Sequence, residues 1–428
     1  MAGINRAEAR AAKMSSRVSR RTTCRLCEAP DVELVLHLQP TPPADAYVPA
    51  DRLKEPQDSY PLDLFFCRRC GHAQLLDVVD PKVLFQDYLY ISSSSPGLED
   101  HFQSYSDQVL AYAKPPAGAL ALDIGSNNGI LLKLFKQQGL KVLGVDPARE
   151  IAGQATRSGI ETIPAFFSSH LARQLRAERG PAAIVTANNV FAHSDGLADM
   201  AEGIQTLLAP DGVFVFEVSY LMDVIEGMVF DFIYHEHLCY HSVKPLQAFL
   251  LRHGLELINA ERVPTKGGSL RGTAQLVGGP RRVEPAVAKL LTLEAKIGLD
   301  RTDVFKDFAA RVECAKSETR QSLRELKAAG KTIAGYGACA TATTLIHHFQ
   351  IGGMLDFIVD DNVQRQNLYS PGLHIPILPP AAIYKKKPDC VLILAWRFAE
   401  PIMQGHPAFM HQGGRFIIPL PKLRIVHA

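Results

Sequence analysis

The chain has 428 residues, 47% of them hydrophobic and 21% charged, which allows about three domains and excludes a disordered or fibrous protein. Its formal net charge of +2 offers no basic field for duplex nucleic acid, and no apolar run reaches the roughly 18–20 residues that span a bilayer. Neither nucleic acid nor membrane is therefore an expected partner.

Residues 1–21 are rich in Ala, Arg and Ser and carry six basic residues against the single acid Glu8. They lack the apolar core of a secretory signal and have some transit-peptide character; a disordered tail is the expectation. A metal module is expected over 22–90. It holds Cys24-x2-Cys27 and Cys67-x2-Cys70 with 39 residues between the pairs, and its interior loops carry Pro40, Pro42, Pro43, Pro49, Pro56 and Pro61. Two such turns supply four thiolates to a tetrahedral zinc, which leaves no open position and makes the metal structural. The alternative, four unrelated buried cysteines, needs paired spacing twice by chance. His72 is near enough to be a spare ligand, although a place outside the ligand set suits it better. Cys239, Cys314, Cys339 and Cys390 are scattered, so a reducing, cytoplasmic compartment fits better than a disulfide framework.

Tyr88-Leu89-Tyr90-Ile91 and the serines up to Pro96 read as a hinge into a second domain over 91–280. There the pattern alternates. Leu98–Lys114 is predicted helical and stops at Pro115-Pro116. Strands are expected at 119–124, 141–145, 183–187 and 212–218, with a helix at 129–138, and the last strand is entered through the turn Pro210-Asp211-Gly212. Such βαβ alternation predicts a parallel sheet covered on both faces. Residues 255–262 and 270–277 should close it as a hairpin. Residues 285–326 are charged and Gly-poor and suit a helical connector. In the third domain, 281–428, a second alternating unit begins at Lys331, with strands at 332–335, 355–359 and 389–395.

The turn Asp123-Ile124-Gly125-Ser126-Asn127-Asn128-Gly129 lies between a strand and a helix. Glycine lets backbone approach a ligand closely, and the helix start offers free N–H groups. Asp146, at the tip of the next strand, is placed to accept ribose hydroxyls. These features resemble the first two motifs of class I S-adenosylmethionine-dependent methyltransferases; an ordinary tight βα turn is the bland alternative. Asn188, Asn189 and His193 follow the third strand at the edge where doubly wound sheets hold ligands, and either face a ligand or cap a loop. Tyr234-His235-Glu236-His237 is the candidate catalytic cluster. Histidine suits proton abstraction, a neighbouring carboxylate can orient it, and tyrosine can donate to an oxyanion. A His-x-His metal site and plain surface histidines are the alternatives. Gly335-x-Gly337-x-x-Ala340 with Asp360-Asp361 suggests a second nucleotide fold or close helix–strand packing. Lys266-Gly267-Gly268-Ser269-x-Arg271 suggests a diphosphate contact or mere solvated cations.

As an ordered set these motifs resemble the deoxysugar C-methyltransferases from Thr22 onward. The set comprises the two-knuckle module, the Tyr88-x-Tyr90 hinge, the Asp123 turn, Asn189-Val190-x-Ala192-His193 and Tyr234-His235-Glu236-His237. It ends with Gly335-Tyr336-Gly337-Ala338 and Pro371-Gly372-x-His374-Ile375-Pro376. The resemblance implies an α/β architecture: a Rossmann-like methyltransferase domain flanked by a small four-cysteine zinc module and a C-terminal Rossmann-like domain. It implies S-adenosylmethionine bound by Asp123, Gly125, Ser126, Asn127, Gly129, Asp146 and Asn188, and zinc held by Cys24, Cys27, Cys67 and Cys70. His237 is the implied base, assisted by Tyr234 and Glu236, while Tyr88, Asn189 and His193 line the same cavity. The implied reaction methylates C3 of a nucleotide-linked (dTDP-type) 4-keto sugar, whose nucleotide end the C-terminal domain helps to hold. Asn128 departs from the pattern, since many members carry Asp there. The implied partner is a nucleotide sugar or another small molecule, with the chain a monomer or weak homodimer. Rival readings are a methyltransferase of the same fold acting on another ketone or hydroxyl, a nicotinamide-dependent enzyme using the Gly335 turn, and a zinc-ribbon binding module.

Overall fold

A computed structural model of the protein describes residues 17–85 and 97–427; the hinge Tyr88–Pro96, with its site candidate Tyr88, lies outside the described residues. Of the expected tail over 1–21, the described end is ordered. Val18–Arg20 is a strand paired antiparallel with Asp77–Val79. Its anchor is Arg20, which ion-pairs with the buried Asp77 and lies 4.4 Å over the Phe65 ring.

The zinc module is built on a four-stranded sheet in the order Cys239–Tyr240, Ala73–Leu75, Leu64–Cys67, Val32–Leu36. Its edge strand comes from the next domain, immediately after the Tyr234–His237 cluster. No sequence pattern announces that two-residue strand.

The central domain is a seven-stranded sheet ordered Leu255–Val263, Ser269–Leu276, Leu208–Ser219, Ala182–Asn188, Leu120–Ile124, Lys141–Val145, Thr162–Ile163. The last five in this order run parallel, and the hairpin pairs antiparallel at the other edge. Every residue of Leu120–Ile124 is buried, as a strand covered by helices on both faces requires. The Pro210-Asp211-Gly212 turn does not start a strand. It is absorbed into Leu208–Ser219 as a register shift between Leu208 and Val213. Chain order reverses between Leu120–Ile124 and Ala182–Asn188, and their carboxyl ends therefore frame the ligand crevice.

The connector is two helices, Pro285–Ile297 and Asp303–Ala328, broken at Gly298 in the left-handed region. Beyond it a six-stranded sheet runs Ile377–Leu378, Phe357–Val359, Ile333–Tyr336, Cys390–Ile393, Arg415–Ile418, Arg424–Val426, antiparallel only at the last strand. The two sheets share a local plan. Gly125 N–H donates to Val145 O at 2.7 Å, and Gly337 N–H to Val359 O at 2.8 Å. Asp360 accepts the Ala338 and Asn362 N–H groups much as Asp146 accepts those of Asn127 and Ala148. The second glycine turn is covered by the zinc module: the Tyr47 hydroxyl donates to Ala338 O, and Thr343 donates to Ala44 O at 3.0 Å. Among the described residues no helix is long and apolar enough to cross a membrane.

Candidate active site

Three non-regular conformations shape the Asp123 turn. Gly125, Asn127 and Gly129 have φ of 71°, 49° and 75°. A Cβ on Gly125 would lie 2.2 Å from Val190 Cγ2, so glycine is required there by space as well as by φ. Asp123 is buried and accepts the Thr186 hydroxyl at 2.6 Å. Burial pushes its pKa up to about 7, against the Thr186 hydrogen bond, with the Asp146 charge adding to the rise. No cation pairs with it among the described residues, and the buried Ser126 hydroxyl has no hydrogen-bond partner among them. A ligand bringing positive charge and hydrogen-bonding groups would satisfy both, so the residues fit S-adenosylmethionine. Asp146 accepts the Asn127 N–H at 2.8 Å and the Ala148 N–H at 2.9 Å. Its two oxygens thus brace the glycine turn, and each retains a lone pair for a hydroxyl donor.

Asn188 ends its strand beside Glu217, and the loop that follows joins this cradle to the histidine cluster. Asn189, left-handed at φ 56°, donates its N–H to Glu217 O at 2.7 Å. Val190 covers Gly125. Ala192 O accepts the N–H groups of Leu238 and Cys239 at 2.9 and 3.1 Å. The His193 ring stacks on His237 with centroids 4.9 Å apart, and Phe85, three residues before Tyr88 in sequence, also stacks on His193, at 6.1 Å.

Tyr234-His235-Glu236-His237 is neither helix nor strand. It is a turn closed by His237 N–H to Tyr234 O at 2.9 Å, which brings the Tyr234 and His237 rings to 4.0 Å. His237 Nδ1 lies 2.8 Å from Phe232 O. A carbonyl can only accept, so Nδ1 carries the proton and Nε2 the lone pair. Burial pushes His237 down to about 3, the Phe232 hydrogen bond opposing, so the ring is neutral. Burial likewise holds His193 well below the usual histidine range. Tyr234 is held well above the usual tyrosine range by burial and by the neighbouring Glu236 charge, and stays a hydroxyl donor. His235 turns away: its Nε2 sits 3.2 Å from Tyr60 O in the zinc module. The two rings turn toward carbonyls of different domains, and no His-x-His metal group forms among the described residues. The four cysteines are the one group of metal-binding geometry among the described residues.

The C-terminal domain grips the other side of the turn. Trp396 Nε1 donates to the buried Asp231 at 2.9 Å, Thr344 donates to Ile233 O at 2.9 Å, and Arg397 lies 4.1 Å over Phe232. The cluster therefore sits where three domains meet.

Sequence reasoning missed Glu217, a lone acid in the apolar run Val213–Val218. It sits 3.0 Å from His101 Nε2 and accepts Thr265 at 2.6 Å and Arg271 at 3.0 and 3.1 Å. Burial alone would raise it, but the His101 and Thr265 hydrogen bonds and the Arg271 charge hold it below the usual carboxylate range. Arg271 also donates to Gln108 at 2.7 Å and lies over Tyr105, so it is committed inside the fold and is not the diphosphate contact its motif suggested.

In the zinc module, Cys24 Sγ lies 3.6 Å from Cys70 Sγ and Cys27 Sγ 3.5 Å from Cys67 Sγ, with all four within 4.8 Å. A tetrahedral zinc with bonds of about 2.3 Å sets its sulfurs about 3.8 Å apart, so the quartet fits the ion. The knuckles close alike, Glu28 N–H to Cys24 O and Gly71 N–H to Cys67 O, each at 2.8 Å. His72 stacks on His241 at 5.4 Å and is not part of the quartet.

Comparison with known proteins matches residues 24–85 to a zinc-binding domain, 98–260 to a methyltransferase domain and 264–421 to the C-methyltransferase C-terminal domain. The C-methyltransferase NovU of Streptomyces niveus is 35% identical over 406 residues, 95% of this chain and 97% of that one. A ubiquinone biosynthesis O-methyltransferase of Burkholderia ambifaria is 32% identical over 117 residues, 26% of this chain and 50% of that one. Among solved structures, magnesium protoporphyrin IX methyltransferase from Synechocystis PCC 6803 is 16% identical, covering 42% of this chain and 79% of that one at a TM-score of 0.32.

Proposed function

The chain belongs to the S-adenosylmethionine-dependent C-methyltransferases with an N-terminal zinc module, and from that premise we propose that it methylates C3 of a nucleotide-linked 4-keto deoxysugar of the dTDP type. The observation that carries the reading is the fixed tautomer of His237, with Nδ1–H bound to Phe232 O and the Tyr234 ring 4.0 Å away. The carbonyl at C4 acidifies the C3 proton, and His237 Nε2 removes it. Tyr234 donates its hydroxyl to the C4 oxygen as charge gathers there. A pKa of about 3 keeps the base free of protons at neutral pH but makes it weak, so much of the driving force must come from holding the enolate oxygen. S-adenosylmethionine, when bound, supplies an electrophilic methyl on a positively charged sulfur. The chain's own part is position: the 189–193 loop ties the glycine cradle to the imidazole pair, so a ligand in one lies beside the other.

The zinc is structural, and no histidine of the cluster belongs to the metal quartet. A division into a zinc module over 22–90, a methyltransferase domain over 91–280 and a C-terminal domain over 281–428 is supported by the hairpin, whose second strand Ser269–Leu276 still pairs in the central sheet. The paired cysteines and a small-molecule acceptor suit a cytoplasmic enzyme. The test is incubation with methyl-labelled S-adenosylmethionine, a thymidine diphosphate 4-keto sugar and a panel of other ketones and hydroxylated metabolites, read by NMR. A new C–CH3 group at C3 of the sugar supports the reading. Methylation of another panel member with the sugar untouched overturns it.

A further inference from the structure

Arg25 lies between the two metal-ligand cysteines of the first knuckle, yet its side chain leaves the module and is only 1% exposed. Its Nη1 donates to Leu238 O and to Gln74 Oε1, each at 3.1 Å, and its Nε donates to Asp195 Oδ1 at 3.0 Å. Leu238 follows His237 and Asp195 lies two residues beyond His193. One guanidinium thus ties the backbone beside one member of the stacked imidazole pair to the segment carrying the other. The Gln74 amide is itself fixed, since its Oε1 also accepts the Arg25 backbone N–H at 2.9 Å. The same peptide is clamped from the module's sheet, because Leu75 N–H donates to Leu238 O at 3.0 Å and Cys239 pairs with Gln74.

We infer that Arg25 is a positioning residue, through which the rigid metal knuckle holds His237 and His193 in register with each other. Three acceptors lie around one planar group. A guanidinium serves them from a fixed fork of donors, while a lysine ammonium is a single point that reaches one or two. The link explains why an edge strand of the central domain is stitched into the zinc module: the metal stiffens the ground on which the imidazole pair stands.

The inference rests on the reading of His237 as the base, and one readout is chosen to be independent of it. Arg25→Met and Arg25→Lys are compared with wild type in the full-length zinc-loaded protein by metal analysis, by amide hydrogen exchange and by kinetics. The expected result is zinc retained at one per chain, faster exchange over 190–195 and 234–240, and unchanged exchange over the Asp123 turn. With an acceptor, kcat falls about 10- to 100-fold at unchanged KM, the loss typical of a group displaced by about 1 Å. In the Arg25→Met/His237→Ala double variant the activity is no lower than in His237→Ala alone. Asp195→Asn, which changes no residue of the knuckle but weakens the hold of both Arg25 and Arg21 (3.1 Å) on this carboxylate, is expected to speed exchange over 190–195 and lower kcat in the same sense. Unchanged exchange and kcat in folded, zinc-loaded Arg25→Met overturn the inference. So does loss of zinc in that variant, which would make Arg25 a support of the metal alone. Should exchange respond as expected while His237→Ala retains wild-type turnover, the mechanical link stands and the base assignment falls.

Discussion

Replacing Asp123 by asparagine should remove a pH dependence that the wild-type cradle carries into the neutral range. Burial lifts the Asp123 carboxyl to about 7, and among the described residues it has only the Thr186 hydroxyl for relief. Its ionised form is the one that attracts a positively charged ligand, so affinity should fall as pH falls through 7. With that pKa, about three quarters of the sites are ionised at pH 7.5 and only a few per cent at pH 5.5, a loss of roughly tenfold or more in affinity, on the order of 2 kcal/mol. Titration calorimetry with S-adenosylhomocysteine, which carries an α-ammonium group, measures this directly. Repeating it in buffers of different ionisation enthalpy counts the proton released on binding. Asp123→Asn should bind more weakly at pH 7.5 but with a nearly flat profile, because its amide stays neutral throughout. Wild-type affinity constant within twofold across that range, or an equal slope in the variant, would refute the assignment of this carboxyl to the cofactor cradle.

Gly125→Ala should lower both thermal stability and S-adenosylhomocysteine affinity, since its Cβ meets Val190 Cγ2 at 2.2 Å and φ is 71°. The left-handed backbone costs about 1–2 kcal/mol and the overpacking about 1–3 kcal/mol; wild-type melting and affinity would contradict the packing argument. Cys67→Ser removes one of four sulfur ligands and should yield protein with less than one zinc per chain, a lower melting temperature and poor soluble yield. A stable, soluble, metal-free variant melting with wild type would count against a structural ion.

What could be read from the sequence was local chemistry with fixed spacing. The two cysteine pairs, the Asp123 turn, Asp146 and the hairpin all declare themselves within a few residues, and each falls where its pattern placed it. The Tyr234–His237 cluster was legible as a set of reactive groups, but not its shape. The structure makes it a turn whose key partner, Phe232 O, is a backbone atom that no residue type marks. Glu217, Asp231 and Arg25 were missed because their roles are set by distant partners: Arg271 and His101, Trp396, and Leu238 O. A buried acid in an apolar run, as at Glu217, is the one sequence signal that could have flagged any of them. Arg271 was misread for the same reason, since a cation beside glycines looks exposed until its carboxylate is known. Val18–Arg20 was placed in a tail because three residues are too few to show a strand period, and the Arg20–Asp77 pair that holds them spans 57 residues.

The most direct test of proton removal by His237 omits methyl transfer altogether. The 4-keto sugar nucleotide is incubated in D2O with enzyme and S-adenosylhomocysteine, and the C3 proton signal is followed by NMR. Deuterium should enter C3 with wild-type enzyme and stay out with a folded His237→Ala that still binds S-adenosylhomocysteine. Exchange at an undiminished rate in that variant would contradict the role given to His237.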